Sequence, residues 1–505
     1  MSNRHPSRLR TGAVLSGALL TGALVLSACG VASNTTTSLR GAEGRPSAAP
    51  QGLASRVRAT APGAAPTSAP ARYPAPGLTV WGSPGPVRGA PDVSTYHVDA
   101  ARSGDTAGVP APTTPQLSWH RVLDGAVYGQ PLVIRGTVVV ATENNSVYGL
   151  DAASGTQRWR VSLGTPQAAG ALPCGNVGPT VGVTGTPVFD RATGWIYAVA
   201  ELAGPRHELF AVDPATGTIR LHQPVDPAGG APLVQQQRSA LAVGSGRVYV
   251  ALGGRFGDCG DYHGYVVGVP ERGGPNTVYQ VPSAREGGIW AAGGPSLDAA
   301  GNVYVAVGNG SAVGGDAYDG SDSIIKLSPT LALIDYFAPR GWAAENAGDV
   351  DIGSTGPTLL PNGLVLTLGK SRNLYVLRAP ALGHVGGQLA DSELCAGYGG
   401  TAHLANTVFL PCIDGLRAAT VDGSGVHPRW GAASGAVNGS PVLGGGAVFA
   451  LDPGRGVLHL LAESDGHELA AVTLPEPTTR FATPALSGAS VFIGTERGVV
   501  AVVGG

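Results

Sequence analysis

Between Pro131 and Trp159 the chain reads PLVIRGTVVVATENNSVYGLDAASGTQRW, four short apolar runs separated by polar, turn-forming residues. PLVI, TVVVAT, SVYGLD and TQRW are rich in Val, Ile, Thr, Tyr and Trp, which fit a pleated surface. Arg135-Gly136, Asn144-Asn145 and Ser154-Gly155 stand between the runs, and Gly, Asn and Ser tolerate tight-turn backbone angles. Connections this short leave no room for a crossover helix, so the stretch predicts four strands joined as antiparallel hairpins. One such sheet cannot bury both its faces, and sheets of this kind become stable by stacking on copies of themselves.

The copies follow. PVFD, WIYAVAEL, HELFAVDPATG and TIRLHQPV repeat the scheme from Pro187, and SALAV, RVYVALGG, GYVVGVPERG and NTVYQVP repeat it more loosely from Ser239. Further units start at Pro295, Pro357, near Ala402 and at Pro441; the last strand of the Pro357 unit is ill-defined near Gly387. An eighth unit starts at Pro484 and the chain stops one strand short of completing it. LSWHRVLD, Leu117 to Asp124, is strand-like and carries Trp119 where other units carry an outer-strand Trp such as Trp159 or Trp430. A closed ring needs its ends joined, since an open one leaves an unpaired edge. The expected fold is all-β: an eight-bladed β-propeller of four-stranded antiparallel blades, residues 93–505, closed by this N-terminal strand. A seven-bladed count is the nearest alternative.

The first residues change the picture of where such a ring would work. Arg4, Arg8 and Arg10 precede an apolar run from about Gly12 to Leu26, then LSAC ending at Cys29. That is the shape of a secretory signal, too short to span a bilayer comfortably. LSAC-Gly resembles the lipobox of bacterial lipoproteins, which implies a signal peptide over residues 1–28, lipidation at Cys29 and anchoring on the extracytoplasmic face of the bacterial cell membrane, since two or more acyl chains hold stably. Residues 29–92 are dominated by Ala, Gly, Pro, Ser and Thr and are expected to form a disordered tether.

Charge excludes one class of partner. Net charge is −2, charged residues are 13%, and Lys326 and Lys370 are the only lysines, so no nucleic-acid partner is expected. Four cysteines besides Cys29 suit an oxidising compartment, and Cys395–Cys412 and Cys174–Cys259 are the expected disulfides. The first pair flanks a strand pair in the sixth blade; the second sits on loops of adjacent blades.

Propeller geometry brings the residues just before each inner strand, and those in the hairpin after each second strand, to one funnel mouth. Gln130, Glu143, Thr184, Gln237, Arg238, Trp290, Asn309, Asp351, Lys370, Arg372, Asn438 and Arg480 are the candidate ligand-contacting residues there, with Glu201, Asp349 and Glu496 on the same rim. Many such polar groups serve only to satisfy loop backbone. The loop Gly308 to Asp322 clusters Asp316, Asp319 and Asp322, a weak calcium candidate; the spacing is not that of an EF-hand, and Gly/Asp-rich turns are the favoured reading. No His pairs with a nucleophile signature, so no catalytic residues are assigned.

VYGLDAASGTQRW and LFAVDPATGT are similar to the repeats of pyrroloquinoline-quinone (PQQ) propellers, and CGNVGPTVGVTGTPVFD and GGIWAAGGPSLDAAGNVYVAVGNG look like a bacterial group of uncharacterised PQQ-like repeat proteins. The resemblance covers the chain from about Thr95 to the end. It implies the fold; such repeats occur both in quinone-dependent alcohol dehydrogenases and in a cofactor-free scaffold, the lipoprotein of the outer-membrane barrel-assembly machinery. The dehydrogenases have a vicinal Cys-Cys disulfide over the quinone, a Trp beneath it and a Glu-Asn-Asp set holding calcium. Here no cysteines are adjacent; Trp290 would be the floor, and Asn309 with Asp351 would serve calcium. The favoured expectation is therefore a binding or scaffold protein with a partner in the cell envelope. The alternative is a PQQ- and calcium-dependent oxidoreductase of the alcohol or sugar dehydrogenase type.

Overall fold

In the computed structural model the described residues are 76–81, 90–110, 114–479 and 481–504, all within the unit Ser68–Gly505. The expected signal peptide, Cys29, most of the tether and Arg480 lie outside them.

The first repeat forms four strands, Leu132–Ile134, Thr137–Ala141, Ser146–Asp151 and Gln157–Ser162, paired antiparallel in that order. Seven further sheets repeat the plan, and the eighth pairs Pro115–Val122 with the final strand Gly498–Gly504, closing the ring at the place expected from Trp119. Successive side chains on a strand point to opposite faces, and both faces are buried here. Val138 and Val140 pack with Phe492 and Val499 of blade 8, while Val139 and Ala141 pack with Phe189 and Ile196 of blade 2. The same sharing recurs between every neighbouring pair: eight blades, eight inter-blade cores, the last joining blade 8 to blade 1.

Three outer-strand tryptophans bind each blade to the next. The Trp159 indole N–H donates to Pro214 O at 2.9 Å, and Trp119 and Trp430 do the same to Ala152 O and Glu463 O. Each ring lies over the glycine of the neighbour's turn; a Cβ on Gly217, whose φ is +73°, would meet the Trp159 ring at 2.7 Å. Trp159→Phe loses that hydrogen bond and part of the ring, and is expected to cost about 1–2 kcal/mol in urea unfolding.

Two details differ from the sequence reading. Gly77–Val80, inside the expected tether, is a fifth strand on Pro115–Val122, covering an edge that would otherwise be open. The last strand of blade 5 is Ala390–Glu393; His384–Val385, nearer the expected place, pairs parallel with the outer strand of blade 4. Both expected disulfides, Cys174–Cys259 and Cys395–Cys412, are formed.

Residues 91–106 fill the middle of the ring. Val93 exchanges two backbone hydrogen bonds with Val133 of blade 1, Ser94 O accepts from Phe189 of blade 2, and Ala100 O from Leu297 of blade 4. Ser103 O accepts from His403 of blade 6, Gly104 O from Leu443 of blade 7, and Pro91 O from the Ser487 hydroxyl of blade 8. Arg102, 3% exposed, donates to Leu241 O of blade 3, Pro295 O before blade 4, Tyr96 O and the Thr95 hydroxyl. Burial lowers its pKa to about 10, so the guanidinium stays charged at neutral pH. The segment is thus a hub touching seven blades. Three of its residues other than glycine, His97, Val98 and Arg102, are left-handed, so contacts with the ring hold the turn against its local preference.

Candidate functional site

The hub occupies the middle of the ring, and its Tyr96 reaches the funnel side. A small recess there is lined by Tyr96, Thr184, Arg238 and Phe481. Beside it opens a cavity of about 460 Å³, walled by Arg238, Arg255, Tyr262, Trp290, Asn309, Asp349, Lys370, Tyr398 and Phe481. Arg238 lies over the Phe481 ring at 4.3 Å, and Lys370 Nζ is 5.3 Å from the centre of the Trp290 ring, both geometries of cation–π attraction. Trp290 enters the wall because two glycines make room for it: a Cβ on Gly308 would sit 2.9 Å from its indole nitrogen, and one on Gly253 3.0 Å from its Cβ. Its ring is tilted against Tyr398, centres 6.2 Å apart.

The structure brings Arg238, Trp290, Asn309 and Lys370 to one cavity, as their positions before inner strands and in second hairpins predict. Asp351 stands directly behind: its Oδ2 is 2.7 Å from Lys370 Nζ and its Oδ1 accepts the Gly353 N–H. Burial raises the Asp351 pKa, opposed by Lys370. The other candidates are placed differently. Gln130 is buried, accepting from His97 N and donating to Pro484 O, and Gln237 donates to Ser239 O. Arg372 pairs with Glu393 on the exposed outer side of its hairpin, and Asn438 donates to Ile413 O. Asp316 accepts from Val313 N and Asp319 from Ser321, while buried Asp322 takes the Ile352 N–H. Asp316 and Asp319 serve turns within their loop, whereas Asp322 ties it to the segment before blade 5; among the described residues no three of His, Cys, Asp and Glu form a metal-ligating group.

Arg255 and Phe481 were not singled out by the sequence. Arg255 directly follows the second strand of blade 3, Arg247–Gly254, so the hairpin rule applied to every blade would have found it. Its guanidinium grips Glu201 at 2.6 and 3.2 Å and donates to Leu233 O and Pro232 O; the two side chains are 1% and 2% exposed. His207 lies on the other side of Glu201. Burial alone would lower the His207 pKa, but its bonds to Asp226 and Glu201 overcome this and lift it to about 9.

Glu143 is fully buried, with Oε2 accepting the Gly182 N–H at 2.7 Å. Burial pushes its pKa up to about 7, against the Gly182 bond, the Thr184 hydroxyl and Arg238. A folded pKa above the unfolded one means the native state keeps a proton the unfolded chain has released. That contribution is complete below about pH 4.5 and lost as pH rises through about 7. Glu143→Gln, which still accepts from Gly182, is expected to stabilise the protein by about 2 kcal/mol at pH 8 and by almost nothing at pH 5, measured as paired urea midpoints.

Comparison with known proteins fits this geometry. Residues 77–260 match the family model for PQQ_2 repeats described as outer membrane protein assembly factor BamB. Over those residues the chain is similar to PQQ-like repeats, and the eight-bladed propeller is the fold such repeats build. A quinohemoprotein alcohol dehydrogenase from Comamonas testosteroni superposes on the propeller with a TM-score of 0.63 at 16% identity, covering 82% of this chain and 80% of that one. BamB from Moraxella catarrhalis gives 0.54 at 17% identity, covering 78% and 99%. A europium-containing methanol dehydrogenase gives 0.61 at 14%, covering 81% and 90%. At these identities the likeness is one of fold, shared by an assembly factor and by dehydrogenases. No curated protein matches the propeller by sequence.

Proposed function

We propose that this chain is a lipid-anchored, extracytoplasmic binding propeller of the cell envelope, which holds a partner or ligand at its funnel without transforming it. The observation that carries the reading is the cavity itself: about 460 Å³ with aromatic walls and mixed charge, beside a recess lined by Tyr96 of the hub, the shape of a receptor pocket. The lipobox-like LSAC supplies the anchor, and the part of the Ala/Pro/Gly/Ser-rich stretch before the strand Gly77–Val80 its reach. Among the described residues no helix is long and apolar enough to cross a membrane.

The test is crosslinking in intact cells with a photoreactive residue at Phe256, which lines the cavity and is 64% exposed. One discrete envelope adduct, lost on Trp290→Ala, is expected. No adduct, or one indifferent to Trp290, removes the reading. Cys29→Ser is expected to abolish fatty-acid labelling and release the protein from membranes.

A second reading, the quinone-dependent oxidoreductase, draws support from Trp290, whose ring would lie against a planar quinone, and from Arg238, which would meet its carboxylates. Calcium fits poorly. Glu201 is taken by Arg255 and Asp351 by Lys370; neither disulfide joins adjacent cysteines, as the one over the quinone in the dehydrogenases does. Added PQQ and calcium are expected to give no dye-linked oxidation of alcohols or sugars; sustained turnover would decide for the dehydrogenase.

A further inference from the structure

Of the buried carboxylates around the funnel, Glu143 and Asp322 have their pKa raised by burial, while Glu201 at 2% and Asp351 at 0% exposure each face a basic side chain of the wall. Buried carboxylates in such a place would ordinarily call for a counter-ion. Glu201 and Asp351 each already have one from the chain itself. The Arg255 fork covers both oxygens of Glu201, and two backbone carbonyls hold the fork in place. Lys370 reaches Asp351 Oδ2 at 2.7 Å and is also bonded to Asp349, while the second oxygen of Asp351 is occupied by Gly353 N–H.

We propose that Arg255 and Lys370 are built-in cations filling the acidic seats of the funnel, so that this propeller takes its ligand without a divalent metal. Calcium needs six to eight oxygen ligands. Among the described residues the cavity lining offers two carboxylates, Asp349, which Lys370 already engages, and Asp258, which already accepts from the Tyr262 hydroxyl; its other side-chain oxygens are neutral amides and phenols. A metal ion there would also face an ammonium group a few ångströms away. A guanidinium or ammonium on a side chain cannot be chelated or exchanged, so the charge balance of the cavity is fixed at folding. The inference deepens the binding reading above, and it stands or falls separately, because its test involves no partner.

The test uses terbium(III), a hard oxygen-seeking ion that emits when an adjacent indole is excited, on the full-length protein in detergent. Trp290, against Lys370, is the reporter. The native protein is expected to give no saturable emission that depends on Trp290. Lys370→Met vacates the seat beside Asp351, and is expected to raise Trp290-dependent emission at least tenfold, displaced by calcium and lost again in Lys370→Met with Trp290→Phe. Should Lys370→Met fail to fold, Lys370→Gln makes the same comparison with chain length kept. Trp290-dependent emission from the native protein overturns the proposal. So does a folded Lys370 variant that stays as dark as the native chain, since the lysine would then not be occupying a cation seat.

Discussion

Arg102→Ala is expected to lower the stability of the propeller by about 4 kcal/mol, the largest effect of any single substitution considered. The side chain crosses the centre of the ring, and its loss strands the carbonyls of Leu241 and Pro295, two acceptors that no water can easily reach. It also removes support from a turn whose left-handed residues are otherwise held by backbone bonds and Gln130. Arg102→Lys keeps the charge but cannot span four acceptors, so it should recover little of the loss. The measurement is the urea midpoint at constant m-value; a shift under 1 kcal/mol for Arg102→Ala would mean that the hub rests on its backbone bonds alone.

Arg255→Met should cost about 3 kcal/mol, because it leaves Glu201 buried with one partner fewer. His207 moderates the loss. Its pKa is raised above the unfolded value, so its stabilising contribution is complete below about pH 6.5 and disappears as pH rises through about 9. The penalty of Arg255→Met should accordingly grow above pH 9. Adding Glu201→Gln removes the stranded charge, and the double variant should be more stable than Arg255→Met alone. If the double variant is the weaker of the two, the pair is not balancing a buried charge.

The ring was legible in the sequence because each blade states its own boundaries. Runs such as TVVVAT and SVYGLD meet turn pairs such as Asn144-Asn145, and the repetition of that local pattern dictates eight sheets. The funnel was half legible: Trp290, Asn309 and Lys370 occupy positions the topology brings together. Position alone could not show which polar groups turn inward, and Gln130 and Gln237 were spent on backbone carbonyls. The hub was illegible. Thr95 to Gly104 has no periodicity, and its conformation comes from seven blades that are distant in sequence. The same holds for the Arg255–Glu201 pair, joined across 54 residues.

Blade 8 is assembled from both ends of the propeller sequence, Pro115–Val122 against Gly498–Gly504. Its final seam can therefore be zipped only after the last residues have been delivered. A chain still emerging from the ribosome holds seven units that can begin to fold, but no complete circle and no finished seat for residues 91–106. Completion is deferred until synthesis of the propeller ends, which keeps the molecule pliable until then.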